Sequence, residues 1–163
     1  MPSRSAIRPG GVPAPLAAAL RDGLRLRADA TIGPTLELIG PPAAPVPTPP
    51  PGGYALVLTA GWLGAAPDID AAATALVAAL APDGRVDCVE PSAAAGALAR
   101  VQRWSAAAVR TGTGLHVDRD VPVVLRRAGL VLTDIERFSM PTRLPVLRPF
   151  VRVRGHRRSG SAS

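Results

Sequence analysis

Lysine and asparagine are absent from the 163 residues, so every side-chain cation among the 19 basic residues is an arginine. With 19 prolines and 16 glycines, this has the look of a GC-rich coding bias, and it colours the formal charge of +7. A strongly basic chain is a candidate for nucleic-acid or membrane contact. Here arginine bias inflates that signal, and the aromatic residues that stack bases make up only 3% of the chain. Recognition of nucleic acid by base stacking is therefore disfavoured. The same scarcity leaves Val, Leu and Ala to fill the core. A single cysteine, Cys88, excludes an intrachain disulfide and a cysteine-based zinc cluster. Its place inside an apolar strand makes it a buried, inert thiol. No apolar run reaches the ~20 residues that span a bilayer, and no long apolar segment precedes Pro9-Gly10-Gly11 as a signal peptide would require. The expectation is a cytoplasmic protein with no membrane contact. Other absences close further chemistries. There is no Gly-x-Ser-x-Gly elbow. His116 and His156 lie too far apart to make a metal motif. Asp68 and Asp70 fall at a helix start rather than forming a catalytic carboxylate pair. No metal site is expected.

What the chain does contain is an apolar content of 47%, enough for one globular domain with a real core. The stretch from Tyr54 to Pro91 organises it. Tyr54–Thr59 is a nearly continuous apolar run, the pattern of a strand buried on both faces. Pro67-Asp68 opens a helix, with Asp68 or Asp70 as N-cap. Ile69, Ala72, Ala73, Leu76, Val77 and Leu80 recur at helical spacing along it. Pro82-Asp83-Gly84 turns the chain, Arg85–Glu90 forms a second strand, and Pro91 closes it. A strand, a crossover helix and a second strand of these lengths make a right-handed βαβ unit.

Around this unit the pattern is as follows. Residues 1–13 are irregular, Pro15–Ala28 is a helix, Thr35–Ile39 is a short strand, and Pro41–Pro51 is a stiff proline-rich surface connector. After Pro91, Ser92 caps a helix reaching Arg110. On it Leu98, Val101, Trp104, Ala108 and Val109 share a face, so that Trp104 is a packing residue. Thr111-Gly112-Thr113-Gly114 breaks that helix. Asp120 caps the next, which ends at Arg127 before Gly129. Val131–Phe138 and Pro149–Val153 are the last strands, joined by a non-helical link containing Pro141 and Pro145. Val151 and Val153 alternate with Arg152 and Arg154, which predicts one wet face. Residues from Gly155 onward are read as a disordered basic tail.

Two blocks carry a family resemblance. The turn Leu80-Ala81-Pro82-Asp83-Gly84-Arg85 followed by a strand ending in Glu90-Pro91 is the first. Gly114-Leu115-His116-Val117-Asp118-Arg119-Asp120 followed by Leu125-Arg126-Arg127-Ala128-Gly129-Leu130 is the second. In order and spacing they resemble the second half of a class I S-adenosylmethionine-dependent methyltransferase of the quinone-methyltransferase-like type 11 group. Asp83 stands at the usual first glycine of the turn and Leu130 at a usual Phe. The resemblance covers about residues 54–154. It implies an α/β fold, an incomplete Rossmann-like methyltransferase sheet with flanking helices, drawn from a sheet of order 3-2-1-4-5-7-6. It implies S-adenosylmethionine as cofactor and a small-molecule methyl acceptor. By position in the family, Thr59, Ala60, Gly61 and Trp62 flank the cofactor's methionine part. Trp62 either lies against the sulfonium by cation–π attraction or covers the pocket. His116 is the candidate general base, suited to neutral pH. Arg119 and Asp120 belong to the substrate pocket, orienting His116 or holding the loop. Without the resemblance, Asp120 is simply a helix cap and His116 a loop residue.

The family's first strand and glycine-rich loop find no counterpart, since Gly10-Gly11 lies between prolines with no strand before it. The chain therefore divides into an N-terminal remnant (1–53), a methyltransferase-like part (54–154) and the basic tail (155–163). Met1-Pro2-Ser3 reads as the tail of the family's second strand, as in a truncated gene or a mis-set start. The Tyr54–Thr59 strand would then carry a bare apolar edge, inviting a homo-oligomer or a partner to complete the sheet, unless Thr35–Ile39 moves in beside it. Three functions follow: methyl transfer to a small molecule, a non-catalytic interaction module, and, least favoured, a basic nucleic-acid-binding protein.

Overall fold

Cys88, at the centre of the sheet, is fully buried, and its thiol donates to Val153 O at 3.4 Å. Around it the computed structural model describes residues 33–40 and 43–158; the helix expected over Pro15–Ala28 and the Met1-Pro2-Ser3 segment lie outside them. The described elements run β1 (Thr35–Ile39), β2 (Tyr54–Ala60), α1 (Trp62–Ala65), α2 (Ile69–Ala79), β3 (Leu80–Pro91), α3 (Gly96–Thr113), α4 (Val121–Arg127), β4 (Leu130–Ser139), a 3-10 turn (Pro145–Leu147) and β5 (Pro149–Arg157). The five strands form one sheet of order β1-β2-β3-β5-β4. β1, β2 and β3 are mutually parallel, while β5 runs antiparallel between β3 and β4. The run β2-β3-β5-β4 has the arrangement that the resemblance leads one to expect for the 4-5-7-6 part of the sheet, and β1 lies beside it.

The bare edge expected on β2 is thus filled. Thr35–Ile39 pairs in parallel with residues 56–60, and Leu36 and Leu38 are buried with Val57 in the main core. Among the described residues the outer edge has passed to β1. The core continues through Leu76, Val86, Cys88, Leu125, Val151 and Val153, with α2 and α4 packed over that face of the sheet. Local signals fix both helices. The Asp68 side chain accepts from Ala71 N–H at 3.0 Å and that of Asp120 from Val123 N–H at 3.4 Å, each satisfying a donor the first turn leaves unpaired. By strand alternation Leu56, Leu58, Val89 and Phe150 point to the opposite face, where they form a second cluster.

Several boundaries differ from the sequence reading. β3 begins at Leu80, which pairs with Tyr54. The register then jumps to Leu56–Arg85, so residues 81–84 bulge out of the strand, and this bulge is the expected Pro-Asp-Gly turn. α3 starts at Gly96, not Ser92. Ser92 is buried, with its N–H held by Pro149 O at 3.0 Å, so it cannot serve as a free cap. Trp104 is 90% exposed rather than packed; the face of α3 turned inward carries Gln102 and Val109. That helix runs on through Thr111-Gly112-Thr113, with Gly114 as its left-handed C-cap. β5 extends through Gly155, His156 and Arg157, which correspondingly leave the tail, because β3 and β4 pair with it on both sides. Arg152 and Arg154 are half-buried rather than fully wet. Arg152 makes a two-pronged bond to Asp87 at 2.9 and 2.6 Å, and Arg154 reaches Asp134 at 2.9 Å.

The hairpin-like approach into β2 depends on Gly53. Its φ is +86°, and a Cβ there would lie 2.6 Å from Ala81 N. Gly52 has the same φ of +86° but open space around it. Gly53→Ala should therefore cost roughly 2 kcal/mol or more, against about 1 kcal/mol for Gly52→Ala, as read by urea unfolding. Equal losses at the two positions would mean that the backbone of the 80–81 segment does not press on Gly53.

Candidate functional site at the carboxyl edge of the sheet

The carboxyl ends of β2, β3 and β4 share one edge with the start of β5. At its centre lies Glu90, the last residue but one of β3, with 0% exposure. Thr59 Oγ1 bonds to Glu90 Oε1 at 2.7 Å and Gly64 N–H donates to Oε2 at 2.9 Å. The amides of Leu63 and Trp62 add to this cradle. Burial nonetheless dominates and pushes the Glu90 carboxyl up to about 7. The chain can come this close because residue 64 is glycine: a Cβ there would sit 2.9 Å from Pro91 Cδ.

The segment Thr59–Trp62 lies inside this packing. Thr59, Ala60 and Trp62 are at most 2% exposed. Gly61 N–H donates to Val89 O at 3.0 Å, and Gly40 N–H donates to Ala60 O at 3.0 Å. The Trp62 indole donates to Ala44 O at 2.7 Å, which ties the proline-rich connector to the core. A Cβ on Gly40 would fall 2.5 Å from Gly61 O, so the ends of β1 and β2 are in backbone contact. The side-chain polar groups of the segment are all engaged within the protein.

The 114–120 block straps this segment from outside. Leu115 and Val117 are buried, while His116 N–H donates to Gly64 O at 2.8 Å. Arg119 donates to the carbonyls of Leu63, Ala66 and Pro67 at 3.1, 2.6 and 3.2 Å. It thereby neutralises the carboxyl end of α1 and the turn that follows. Burial, with the nearby Arg119 and Arg110, lowers the His116 imidazole from its ordinary value, against the opposing pull of Asp118. The neutral form of the ring is thereby favoured. Asp120 sits one step away, as the cap of α4.

Beside this closed region a cleft of about 840 Å³ opens. The 92–95 loop, Leu98 of α3, Asp120, the end of β4 and residues 145–150 line it. Of the residues singled out from sequence, Asp120 alone reaches it; Thr59–Trp62, His116 and Arg119 do not. Its shape rests on Gln102, which is 1% exposed. The Gln102 amide accepts from Ala94 N–H at 2.7 Å and donates to Ser92 O and Val146 O at 3.2 and 3.0 Å. One side chain thus joins both walls. A polar residue on a helix carries no sequence signal for such a role, and Glu90 was legible only as the end of a strand.

No family model matches the chain, and no curated protein does. Solved structures do. One is a SAM-dependent methyltransferase from Thermotoga maritima, 14% identical, with TM-score 0.55 over 86% of this chain and 90% of that one. Another is the N-methyltransferase NodS from Bradyrhizobium japonicum WM9 in complex with S-adenosyl-L-homocysteine, 13% identical, with TM-score 0.58 over 88% of each chain. A third, a SAM-dependent methyltransferase from Methanosarcina mazei, is 12% identical with TM-score 0.51 over 65% of this chain and 60% of that one. The fold is that of the class I S-adenosylmethionine-dependent methyltransferases.

Two expectations follow from the buried polar groups. The folded protein holds the Glu90 proton to about pH 7, whereas the ordinary carboxyl loses it near 4.5. The contribution of Glu90 to stability should therefore be full below about pH 4.5 and be lost as pH rises to about 7, by up to roughly 3 kcal/mol. Glu90→Gln should remove that decline, measured as unfolding free energy against pH; an unchanged slope would show that the carboxyl titrates normally. Gln102→Leu leaves three backbone groups without partners and should cost roughly 2 kcal/mol or more. Faster amide exchange at Ala94 would accompany it.

Proposed function

We propose that this protein transfers a methyl group to a small molecule, with S-adenosylmethionine as donor and the cleft of about 840 Å³ as the acceptor site. The observation that carries the reading is the opening of that cleft at the carboxyl edge of a class I methyltransferase sheet, where open α/β folds take their ligands. His116, the candidate base by resemblance, does not line the cleft, so in this reading it supports the loop beside the acceptor site, with the strap through Gly64 O fixing its backbone. Arg119 holds the loop between α1 and α2 in place rather than touching the acceptor. The division into a remnant at 1–53 and a methyltransferase-like part at 54–154 belongs to the same proposal.

A second reading is favoured by one specific observation: the Thr59–Trp62 segment is closed and its polar groups are satisfied internally. On that reading the protein is a non-catalytic module of the same fold, and a partner or a second copy adds a strand to the outer edge of β1. Titration calorimetry with S-adenosylmethionine and S-adenosyl-L-homocysteine separates the two. Micromolar binding of either supports the enzyme. Absence of heat with the folded full chain rules the enzyme out.

A further inference from the structure

The cleft combines apolar walls with two guanidinium groups. Phe138 and Phe150 pair across β4 and β5 with ring centroids 6.1 Å apart, and Leu98 faces them from α3. Arg137 stands near the end of β4, and Arg148 just before β5. Arg148 Nε donates to Thr142 O at 3.2 Å, which fixes the plane of its guanidinium. A lone lining carboxylate, that of Asp120, already accepts from Val123 N–H as a helix cap. Three backbone donors of the adjoining loop are taken as well. Ser92 N–H goes to Pro149 O, Ala93 N–H to Arg119 O and Ala94 N–H to Gln102. The cationic side chains of the cleft are the two arginines.

We propose that the cleft takes a small organic anion, with an apolar body against Phe138, Phe150 and Leu98 and a carboxylate or phosphate on Arg137 and Arg148. Planar guanidinium groups match both anions with paired, charge-assisted hydrogen bonds. A volume of about 840 Å³ admits a body of one or two rings. A cationic ligand would meet two guanidinium charges against the one carboxylate of Asp120. This deepens the proposed function by giving the acceptor's chemical class, and it rests on that reading only for the role of acceptor.

The test uses the full chain and three probes by calorimetry and ligand-observed NMR: 3-phenylpropionate, phenyl phosphate and the neutral 3-phenylpropionamide. At least one anion should bind at least about tenfold more tightly than the amide, and the stronger of the two identifies the head group. Arg137→Gln should weaken that anion about tenfold. Arg103→Gln, an exposed position on α3 outside the lining, should leave it unchanged. Equal binding of anions and amide, indifference to Arg137→Gln, or no binding by any probe would overturn the proposal. Anion binding without any heat from S-adenosylmethionine would sink the enzyme reading and leave this one standing. Cofactor binding without anion discrimination would do the reverse.

Discussion

A single buried carboxyl group holds the carboxyl edge together. Glu90 receives Thr59 from the end of β2 and the amides at the start of α1, so it joins two parallel strands to the chain that leaves one of them. A carboxyl fully out of water is costly unless it is hydrogen-bonded or neutral. Here burial keeps the proton near neutral pH, against the donors of the cradle, which favour the charged form. The consequences spread outward. Gly64 must be small to bring its amide to Glu90, Pro91 packs over the same spot, and the turn that results aims three carbonyls at Arg119. The strap around His116 is thus built on the geometry that Glu90 imposes.

The second organising device is chemically similar and spatially separate. Gln102 binds the loop after β3 to the 3-10 turn before β5. Glu90 closes one part of the edge and Gln102 keeps its neighbour open at a fixed width. Ala93 N–H on Arg119 O links the two at 3.2 Å, so the strap and the cleft wall move as one piece.

Much of the framework could be read from local sequence. Asp68 and Asp120 cap helices where a short acceptor side chain precedes an apolar periodic run, and the β2–α2–β3 unit follows from its turn residues and its alternation of patterns. What escaped is what depends on partners distant in sequence. β5 continues past Gly155 because strands flank it on both sides and Val131 O lies 2.7 Å from where a Cβ would be; neither fact is local. Gln102 takes the inward place expected of Trp104 because helical spacing fixes which residues share a face but not which face turns inward. Hydrophobicity then gives the wrong answer where a helix packs on loop backbone that needs hydrogen bonds. At the site, the loop Thr59–Trp62 was legible as a carboxyl-edge loop, but its closure was not. Arg137 and Arg148 were hidden among many arginines.

That closure follows from the same pairing that solves the edge problem. An apolar strand such as β2 cannot leave its edge unpaired without inviting association. β1 meets that need in parallel register, and register alone then determines what happens at its end. Ile39 stands opposite Ala60, so Gly40 arrives at the height of Gly61, and the two backbones touch. The connector that follows is pinned at Ala44 by the Trp62 indole. In an open α/β sheet a ligand enters where two such chain ends diverge, and here they converge. On the β5 side the chain does the opposite. β5 returns antiparallel between β3 and β4, so its entry link, carrying Pro145 and Arg148, must climb over the edge and stand away from the loop after β3. Gln102 spans that separation without filling it. The ends of β1 and β2 on the parallel half of the edge are therefore in backbone contact, while the antiparallel half carries the cleft beside Arg137 and Arg148.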